Sequence, residues 1–315
     1  MPRSLVHRRA NSEVFLTDWA RAGTDRFSLR GQWPRGHAFY RLDEDTHFDP
    51  LLAAETLRQA ALLIAHACYG VPRSSCFLMS ELEFRLDEEG LRMEGAPADL
   101  ELPARCSRIE WRDGQVAAFH ISMRFVRDGT PIGTASGVTR VTPPAVYSRL
   151  RWAGRTPTTV ADGFVPAEPV APWRVGKRLP DDVVLGEPTS EGAWPLRVLL
   201  DHPTLFDHPL DHVPGMLSME AVRQALHALS GSRRVLPVAL RMSFPAFADL
   251  DVPCLVRAER RGAAEVSVVV EQRGRTVATG VVSGHRLSRP AAAPRRLRAL
   301  SAQAEAPDML CSARV

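Results

Sequence analysis

The stretch His212-Val213-Pro214-Gly215-Met216-Leu217-Ser218-Met219-Glu220-Ala221-Val222-Arg223-Gln224 joins a tight turn to the start of an apolar helix. Pro214-Gly215 marks the turn and the helix entry. The apolar residues that follow, up to position 229, cover nearly every side of a helical projection, which is typical of a buried helix. Glu220, Arg223 and Gln224 nevertheless share one face, because positions i, i+3 and i+4 are neighbours. A buried carboxylate and guanidinium must pair with each other or serve a ligand.

The same pattern occurs earlier in the chain, over residues 47–59. The differences 212 − 47, 220 − 55, 223 − 58 and 224 − 59 all equal 165. The residues that match at this ungapped offset are His37 and His202, His47 and His212, Glu55 and Glu220, Arg58 and Arg223, and Gln59 and Gln224. The chain is therefore predicted to be an internal duplication of a helix-centred unit.

Each half combines short strand-like pieces, one buried helix, and then three or four long strands with turn pairs between them. The helices are predicted over about 50–68 and 216–229. A sheet that curls around one apolar helix is a hotdog fold, so we predict an α+β double hotdog with two antiparallel sheets, each wrapped around a central buried helix. The predicted divisions are a first hotdog domain at 1–142, a Pro-rich linker at 143–180, a second hotdog domain at 181–287 and a disordered tail at 288–315. Residues 1–12 are expected to form a loose arm.

The bulk composition indicates an ordinary globular protein of 315 residues, 45% hydrophobic and 24% charged. No run of 18 apolar residues predicts a membrane span, and the N-terminus has no apolar signal segment. The five cysteines are scattered, which is typical of reduced thiols in a cytoplasmic protein. The net charge of +4 suits an acidic partner, but several arginines crowd the tail, and we predict no nucleic-acid role.

Two interpretations of the Glu/Arg/Gln triads remain open. Glu55, Arg58 and Gln59 in the first half, like their counterparts in the second, form either a polar site at the junction of the halves or a salt bridge that locks each helix. The duplication does not decide between these interpretations, because both would be duplicated.

The loop at 202–212 carries three histidines and two aspartates, which are possible metal ligands. We favour a rigid loop over a metal site, because nothing supplies a closed ligand set, and we predict no metal. His202, His208 and His212 stay candidates for substrate contact.

Gly215 precedes a helix whose first amides favour developing negative charge, so Gly215 and Met216 are candidate oxyanion donors. The matching first-half residue is Pro50, which indicates that the two sites are not equivalent. No P-loop and no Gly-x-Gly-x-x-Gly fingerprint precedes a helix, and no cofactor is predicted.

Several motifs together resemble the A-factor synthase family, which makes γ-butyrolactone signals and related furans and butenolides. The motifs are Trp33-Pro-Arg-Gly-His37, Asp49-Pro-Leu-Leu-Ala-Ala-Glu55-Thr-Leu-Arg58-Gln59, Tyr69-Gly-Val-Pro72, His202-Pro-Thr-Leu-Phe-Asp207 and Asp211-His-Val-Pro-Gly-Met-Leu217. The resemblance covers roughly residues 5–287. It implies an acyltransferase that joins a β-ketoacyl group, delivered on acyl carrier protein, to the hydroxyl of dihydroxyacetone phosphate. The ester then closes by an aldol condensation to a butenolide phosphate.

The resemblance also implies catalytic roles for Glu55 and Arg223, whose positions match those implicated in the family. We expect Glu55 or Glu220 to act as a general base with a pKa raised by burial, and Arg223, with Arg58, to clamp the phosphate. Gln59 and Gln224 are expected to contact substrate. A monomer with an internal pseudo-dimer, or a homodimer, is expected. The alternatives are a hotdog 3-hydroxyacyl-carrier dehydratase or thioesterase, and a non-catalytic regulator that binds an acyl lactone.

Overall fold

The computed structural model describes residues 1–42, 46–152, 165–232 and 234–287. Its two long helices are α1 (Leu51–Tyr69) and α3 (Gly215–Ser230), with a short helix α2 (Pro144–Trp152) between them. The strands are β1 (Leu16–Gly23), β2 (Arg26–Trp33), β3 (Cys76–Leu86), β4 (Ala98–Arg112), β5 (Gln115–Arg127), β6 (Thr130–Thr142), β7 (Trp194–Pro195), β8 (Val235–Ser243), β9 (Leu255–Gly262), β10 (Glu265–Gln272) and β11 (Arg275–Arg286). Both predicted helices are confirmed.

The strands form one antiparallel sheet in the order β1-β2-β4-β5-β6-β3-β8-β11-β10-β9-β7. The halves join where β3 pairs with β8, with Leu82 opposite Met242 and Phe84 opposite Leu240. α1 packs on the first-half strands, α3 packs on the second-half strands, and the two helices contact each other. The double hotdog is therefore confirmed, but the two predicted sheets are continuous.

Helix α1 is buried along almost its whole length because alanines and leucines surround its axis. The facing strand β5 alternates, so that Phe119, Ile121, Met123 and Phe125 point into the core. The helix ends at Gly70, which adopts a left-handed conformation at φ 70° that favours glycine. Burial of the apolar surface on both elements stabilises this half.

The segments outside the two sheets are more ordered than the sequence predicts. The N-terminal arm is not loose, because Val6 is buried and the Asp207 carboxylate accepts hydrogen bonds from the amides of Arg9 and Ala10. The predicted linker contains α2 and a 3₁₀ turn at Pro172–Val175. The predicted tail at 288–315 lies outside the described residues. No helix in the described ranges is both long and apolar enough to cross a membrane.

Candidate active site

The first-half triad forms a buried ion cluster around Glu55. Its carboxylate accepts two hydrogen bonds from Arg58, both at 2.8 Å, and one from Gln59 Nε2 at 2.7 Å. Arg8 from the N-terminal arm adds contacts of 3.0 Å from Nε and 2.8 Å from Nη2. Gln59 also binds the backbone of Glu13 and Phe15, so the cluster ties α1 to the preceding chain.

The second-half triad repeats this arrangement around Glu220. Arg223 donates to both carboxylate oxygens, and Gln224 Nε2 donates to Oε1 at 2.6 Å. The place of Arg8 is taken by Lys177, the only lysine of the chain, whose Nζ lies 3.4 Å from Glu220 Oε1. Both triads therefore contain a salt bridge, as expected from the interpretation in which a salt bridge locks each helix.

The second cation of each cluster, Arg8 or Lys177, also reaches across to the other half. Arg8 Nη1 donates to the carbonyl of Thr204 at 3.1 Å, and Lys177 Nζ donates to the carbonyl of Phe39 at 2.8 Å. These two carbonyls are equivalent, because 204 − 39 equals the 165-residue offset of the duplication. The halves are thus held together by a reciprocal pair of buried cations.

The ionisation of both glutamates is opposite to the expectation from sequence. Burial would raise the pKa of Glu55, but Arg58 and Arg8 outweigh it and lower that pKa to about 2. Burial likewise opposes ionisation of Glu220, and Arg223 with Lys177 lowers its pKa below the usual range. The prediction of a raised carboxyl pKa was wrong, because it ignored cations from distant elements.

His202 has a structural partner in His37. Nδ1 of His202 accepts the amides of Thr204 and Leu205 at 3.2 and 3.1 Å, while Nδ1 of His37 accepts the two equivalent first-half amides at 3.1 and 3.0 Å. His202 is 5% exposed. This duplication favours a loop-shaping role for His202 over the substrate contact predicted from the sequence.

A cavity of about 830 Å³ lies between α1 and the start of α3. It brings together five predicted site residues, which are Arg58, His208, His212, Gly215 and Met216. Glu55, Gln59, Glu220, Arg223, Gln224 and His202 do not line it. The side chain of Arg58 is 23% exposed and that of Arg223 is 1% exposed. Arg58 is therefore accessible from the cavity and Arg223 is not, although the two residues are equivalent in the duplication.

The two helix entrances differ in a way that bears on anion binding. At the start of α1 the Asp49 carboxylate accepts the amide of Leu51 at 3.0 Å. The equivalent of Asp49 in the second half is Pro214, which has no acceptor side chain, and no side chain of the described residues caps the start of α3. The amides of Gly215 and Met216 precede the first intrahelical bonds, and both residues line the cavity.

Gly215 packs closely against an aromatic ring at this entrance. The ring of Phe244 lies over it, and a Cβ at position 215 would lie 3.3 Å from the nearest ring carbon. A Cβ there would therefore require the Phe244 ring to shift slightly.

A second polar group in the cavity is formed by Asp211, His212 and Tyr147 from α2. The Asp211 Oδ1 atom lies 2.7 Å from His212 Nδ1 and accepts the Tyr147 hydroxyl at 2.7 Å. Neither Tyr147 nor Asp211 was selected from the sequence. Tyr147 belongs to the segment interpreted as a linker, so its position gave no signal.

Three further residues of the site were missed. Arg8 lies in the arm expected to be loose, Asp49 was not singled out, and Lys177 lies in the predicted linker. Only Lys177 carried a signal, as the one lysine in an arginine-rich chain. Within the described part of the chain no group of three His, Cys, Asp or Glu side chains is arranged to hold a metal ion.

Comparison with known proteins agrees with this fold. The family model described as the A-factor biosynthesis hotdog domain matches residues 1–143 and 162–288. A 2-oxo-3-(phosphooxy)propyl 3-oxoalkanoate synthase of Streptomyces virginiae is 44% identical over 266 residues, covering 84% of this chain and 89% of that protein. The synthase of the same name from Streptomyces coelicolor is 38% identical over 289 residues, covering 90% and 91%.

Among solved structures, an acyl-ACP thioesterase from Bacteroides thetaiotaomicron aligns with a TM-score of 0.50 and 13% identity, covering 82% of this chain and 98% of that chain. This likeness shows the fold alone. The match of the family model over both halves, together with relatives well above 30% identity, shows that the chain belongs to the A-factor biosynthesis hotdog domain family.

Proposed function

We propose that this protein transfers a 3-oxoacyl group from a thioester to the hydroxyl of dihydroxyacetone phosphate. The product is a 2-oxo-3-(phosphooxy)propyl 3-oxoalkanoate, the ester named in its relatives. The observation that carries the proposal is the cavity between the halves, where two uncapped helix amides and a partly exposed arginine meet one apolar space. The proposed reaction needs sites for an acyl chain, an oxyanion and an acceptor phosphate.

The acyl chain is proposed to occupy the apolar part of the cavity. The hydrophobic lining residues include Leu62, Phe77, Met79, Met219, Phe244 and Val277. A volume of about 830 Å³ is within the range of small-molecule sites. Two of these residues are methionines, whose flexible side chains adapt to an irregular ligand.

The thioester oxygen is proposed to bind the amides of Gly215 and Met216. As a tetrahedral intermediate forms, its negative charge develops at the start of α3, where the helix dipole and these donors stabilise it. The start of α1 cannot serve in the same way, since the Asp49 carboxylate already occupies the equivalent amide. This difference between the two helix starts agrees with the inequivalence of the two sites that Pro50 indicated in the sequence.

The acceptor phosphate is proposed to bind near Arg58. Nε and Nη2 of Arg58 are used by Glu55 and the carbonyl of Val6, and no described group accepts a hydrogen bond from its Nη1. In the second half, Glu220 and also the Asp49 carboxylate of the first half raise the pKa of Arg223, against the effect of burial. Asp49 has no counterpart near Arg58, so an anionic substrate takes the corresponding place there.

The buried glutamates are proposed to act through the cations that they hold. Glu55 stays ionised, orients Arg58 and neutralises part of its charge together with that of Arg8. The general-base role of Glu55 or Glu220 and the phosphate contact of Arg223, both predicted from the sequence, are untested, and the proposed reaction does not use them. Burial of Arg223 against Glu220 favours a structural role for it.

The ester can close further. Its methylene group lies between two carbonyls and is acidic, so it adds to the ketone of the acceptor part and loses water to give a butenolide phosphate. We propose that this product follows from the same bound ester.

We propose that acyl carrier protein delivers the thioester. Its support is the net charge of +4 and the exposed Arg140 on the cavity wall. Coulombic docking of an acidic carrier weakens with salt. Turnover from a carrier-bound donor should therefore be more salt-sensitive than turnover from a small thioester. The two hotdog units pair within one chain, so a monomer contains the whole proposed cavity.

The test is incubation with a 3-oxoacyl thioester and dihydroxyacetone phosphate, followed by mass spectrometry for the ester and the butenolide phosphate. Arg241→Ala, on the outer face of the sheet, is the control variant with expected wild-type turnover. Free 3-oxo acid formed at the same rate without acceptor would indicate a thioesterase instead. Dehydration of a 3-hydroxyacyl thioester would indicate a dehydratase, and saturable lactone binding without turnover would indicate a regulator.

A further inference from the structure

We propose that His212 is the general base that takes the proton from the acceptor hydroxyl, with Asp211 and Tyr147 holding its ring in place. This inference rests on the proposed acyl transfer and names a catalytic residue for it. Its basis is the position of a hydrogen-bonded His–Asp pair in the cavity, three residues before the candidate oxyanion donor Gly215.

The hydrogen bonds fix the tautomer of the imidazole. An ionised carboxylate only accepts hydrogen bonds, so the 2.7 Å contact between Asp211 Oδ1 and His212 Nδ1 places the ring proton on Nδ1. Nε2 then presents its lone pair. His212 has 24% of its side chain exposed, lines the cavity, and makes no hydrogen bond through Nε2 to any described residue.

Asp211 is built to remain charged. Burial alone would raise its pKa, but the hydrogen bonds from His212 and Tyr147 lower it below the usual range. Arg151 adds a donor to the Asp211 carbonyl at 2.8 Å and lies 3.6 Å from Oδ2. An ionised Asp211 stabilises the imidazolium that forms when Nε2 accepts a proton, which is the role of the aspartate in a catalytic triad.

The surroundings of the ring hold few other titratable groups. α2 contributes Tyr147 and Arg151, whereas β3 contributes Cys76, whose thiol has a pKa raised by burial and by Asp211. The edge of Phe247 meets the ring at a centroid distance of 5.2 Å. Burial and Asp211 also raise the pKa of Tyr147, so this hydroxyl stays protonated and donates.

The glutamates are poorly suited to the same task. Glu55 and Glu220 are fully buried, lie outside the cavity lining, and have pKa values lowered by their cations. A carboxylate held by two cations and an amide is a weak base. His212 is the nearest basic group in sequence to the Gly215 and Met216 amides, and it shares their cavity.

The step balances without a further reactant. Nε2 removes the hydroxyl proton of dihydroxyacetone phosphate as the oxygen bonds to the thioester carbonyl carbon, and the oxyanion rests on the helix amides. The carbonyl then re-forms as the carbon–sulfur bond breaks. The leaving thiolate takes the proton from Nε2, which returns the neutral imidazole.

The experiment compares His212→Gln, Asp211→Asn and the control His285→Gln in full-length protein. His285 is exposed and pairs with Glu88, outside the cavity lining. General-base catalysis contributes about 10²- to 10⁴-fold, so kcat of His212→Gln should fall by about that factor with little change in KM for the acceptor. Asp211→Asn should retain more activity, and His285→Gln should match the wild type. Circular dichroism and Tm confirm that each variant is folded.

The pH–rate profile separates catalysis from loop stability. Protonated imidazole cannot accept a proton, so wild-type kcat should fall as the solution becomes more acidic. This acid limb should vanish in His212→Gln, and added imidazole should partly restore His212→Ala. A folded His212→Gln protein with wild-type kcat, or one that keeps the acid limb, overturns the proposal. If the wild type itself makes no ester, the proposed function has failed instead.

Discussion

The two helix entrances descend from one duplicated unit, yet they differ in what fills them. At the start of α1 the Asp49 carboxylate caps the helix and lies in the field of a buried Arg223. At the start of α3 Pro214 stands in the place of Asp49, and the helix amides face a cavity that Arg58 also lines. We infer that the Asp49 carboxylate at the start of α1 occupies the position that corresponds to the anion site at the start of α3.

This difference explains why a duplicated polar triad does not imply two active sites. Each Glu/Arg/Gln triad locks its helix through the same hydrogen bonds. We infer that a ligand can reach a helix entrance only where the residue at position 49 or its equivalent leaves it open, as Pro214 does and Asp49 does not. We therefore propose a single site, in the cavity that Arg58 of the first half and Gly215 of the second half both line.

The largest expected effect is on stability, and it distinguishes the two arginines. Arg223→Met leaves the fully buried Glu220 with Lys177 at 3.4 Å as its remaining cation, which should cost roughly 3–5 kcal/mol of unfolding free energy. Arg58→Met leaves Glu55 with two contacts from Arg8, at 3.0 and 2.8 Å, and should cost clearly less. Urea unfolding of both variants measures the gap, and equal losses would contradict the asymmetry.

The second prediction converts the open entrance into a closed one. Pro214→Asp should cap the start of α3 as Asp49 caps α1, and place a carboxylate where the anionic substrate is proposed to bind. Ester formation should fall about 10²- to 10³-fold, the usual loss when an oxyanion donor is removed, while Tm stays equal or rises. Pro214→Asn caps without charge and so tests loss of the helix amide alone; its turnover should also fall, but by less than that of Pro214→Asp. If Pro214→Asp keeps wild-type turnover, the entrance of α3 is not the oxyanion site.

The third prediction concerns acid stability of the first-half cluster. The pKa of Glu55 falls from 4.5 to about 2 on folding, so its contribution is present above pH 4.5 and is lost as the pH falls towards 2. Wild type should exceed Glu55→Gln by about 3 kcal/mol at neutral pH, and this gap should close in that acid range. Chemical unfolding at pH values from 7 to about 2 measures it. A gap independent of pH would show that the Glu55 charge does not stabilise the fold.

The sequence predicted the fold because its signals are local. The apolar residues around 216–229 define a helix of period 3.6, and alternation in β5 defines a half-buried strand. The ungapped offset then placed both helices in equivalent units. The joining of β3 to β8 was missed, because strand pairing between the halves leaves no pattern within either strand.

The candidate site was predicted less well because its partners are distant in sequence. Arg8 lies 47 residues from Glu55, and Lys177 lies in a segment whose prolines resembled a linker. Without these cations, burial alone suggested a raised carboxyl pKa. The mismatch of Pro50 with Gly215 indicated inequivalent sites, which stays a prediction; the structure adds the mismatch of Asp49 with Pro214 at the two helix entrances.

The central claim is that the acceptor anion binds beside Arg58 and not beside Arg223. It is tested most directly by the KM for dihydroxyacetone phosphate in Arg58→Lys and Arg223→Lys, measured where both proteins are folded. Arg58 donates to Glu55 through Nε and Nη2, which leaves Nη1 for the phosphate. Lysine keeps the charge but has a single nitrogen, so it cannot make both interactions in this geometry. We predict a KM raised about tenfold or more in Arg58→Lys, corresponding to the loss of one charge-assisted hydrogen bond, and a KM near wild type in Arg223→Lys. A raised KM confined to Arg223→Lys, with wild-type kinetics in Arg58→Lys, would contradict the account.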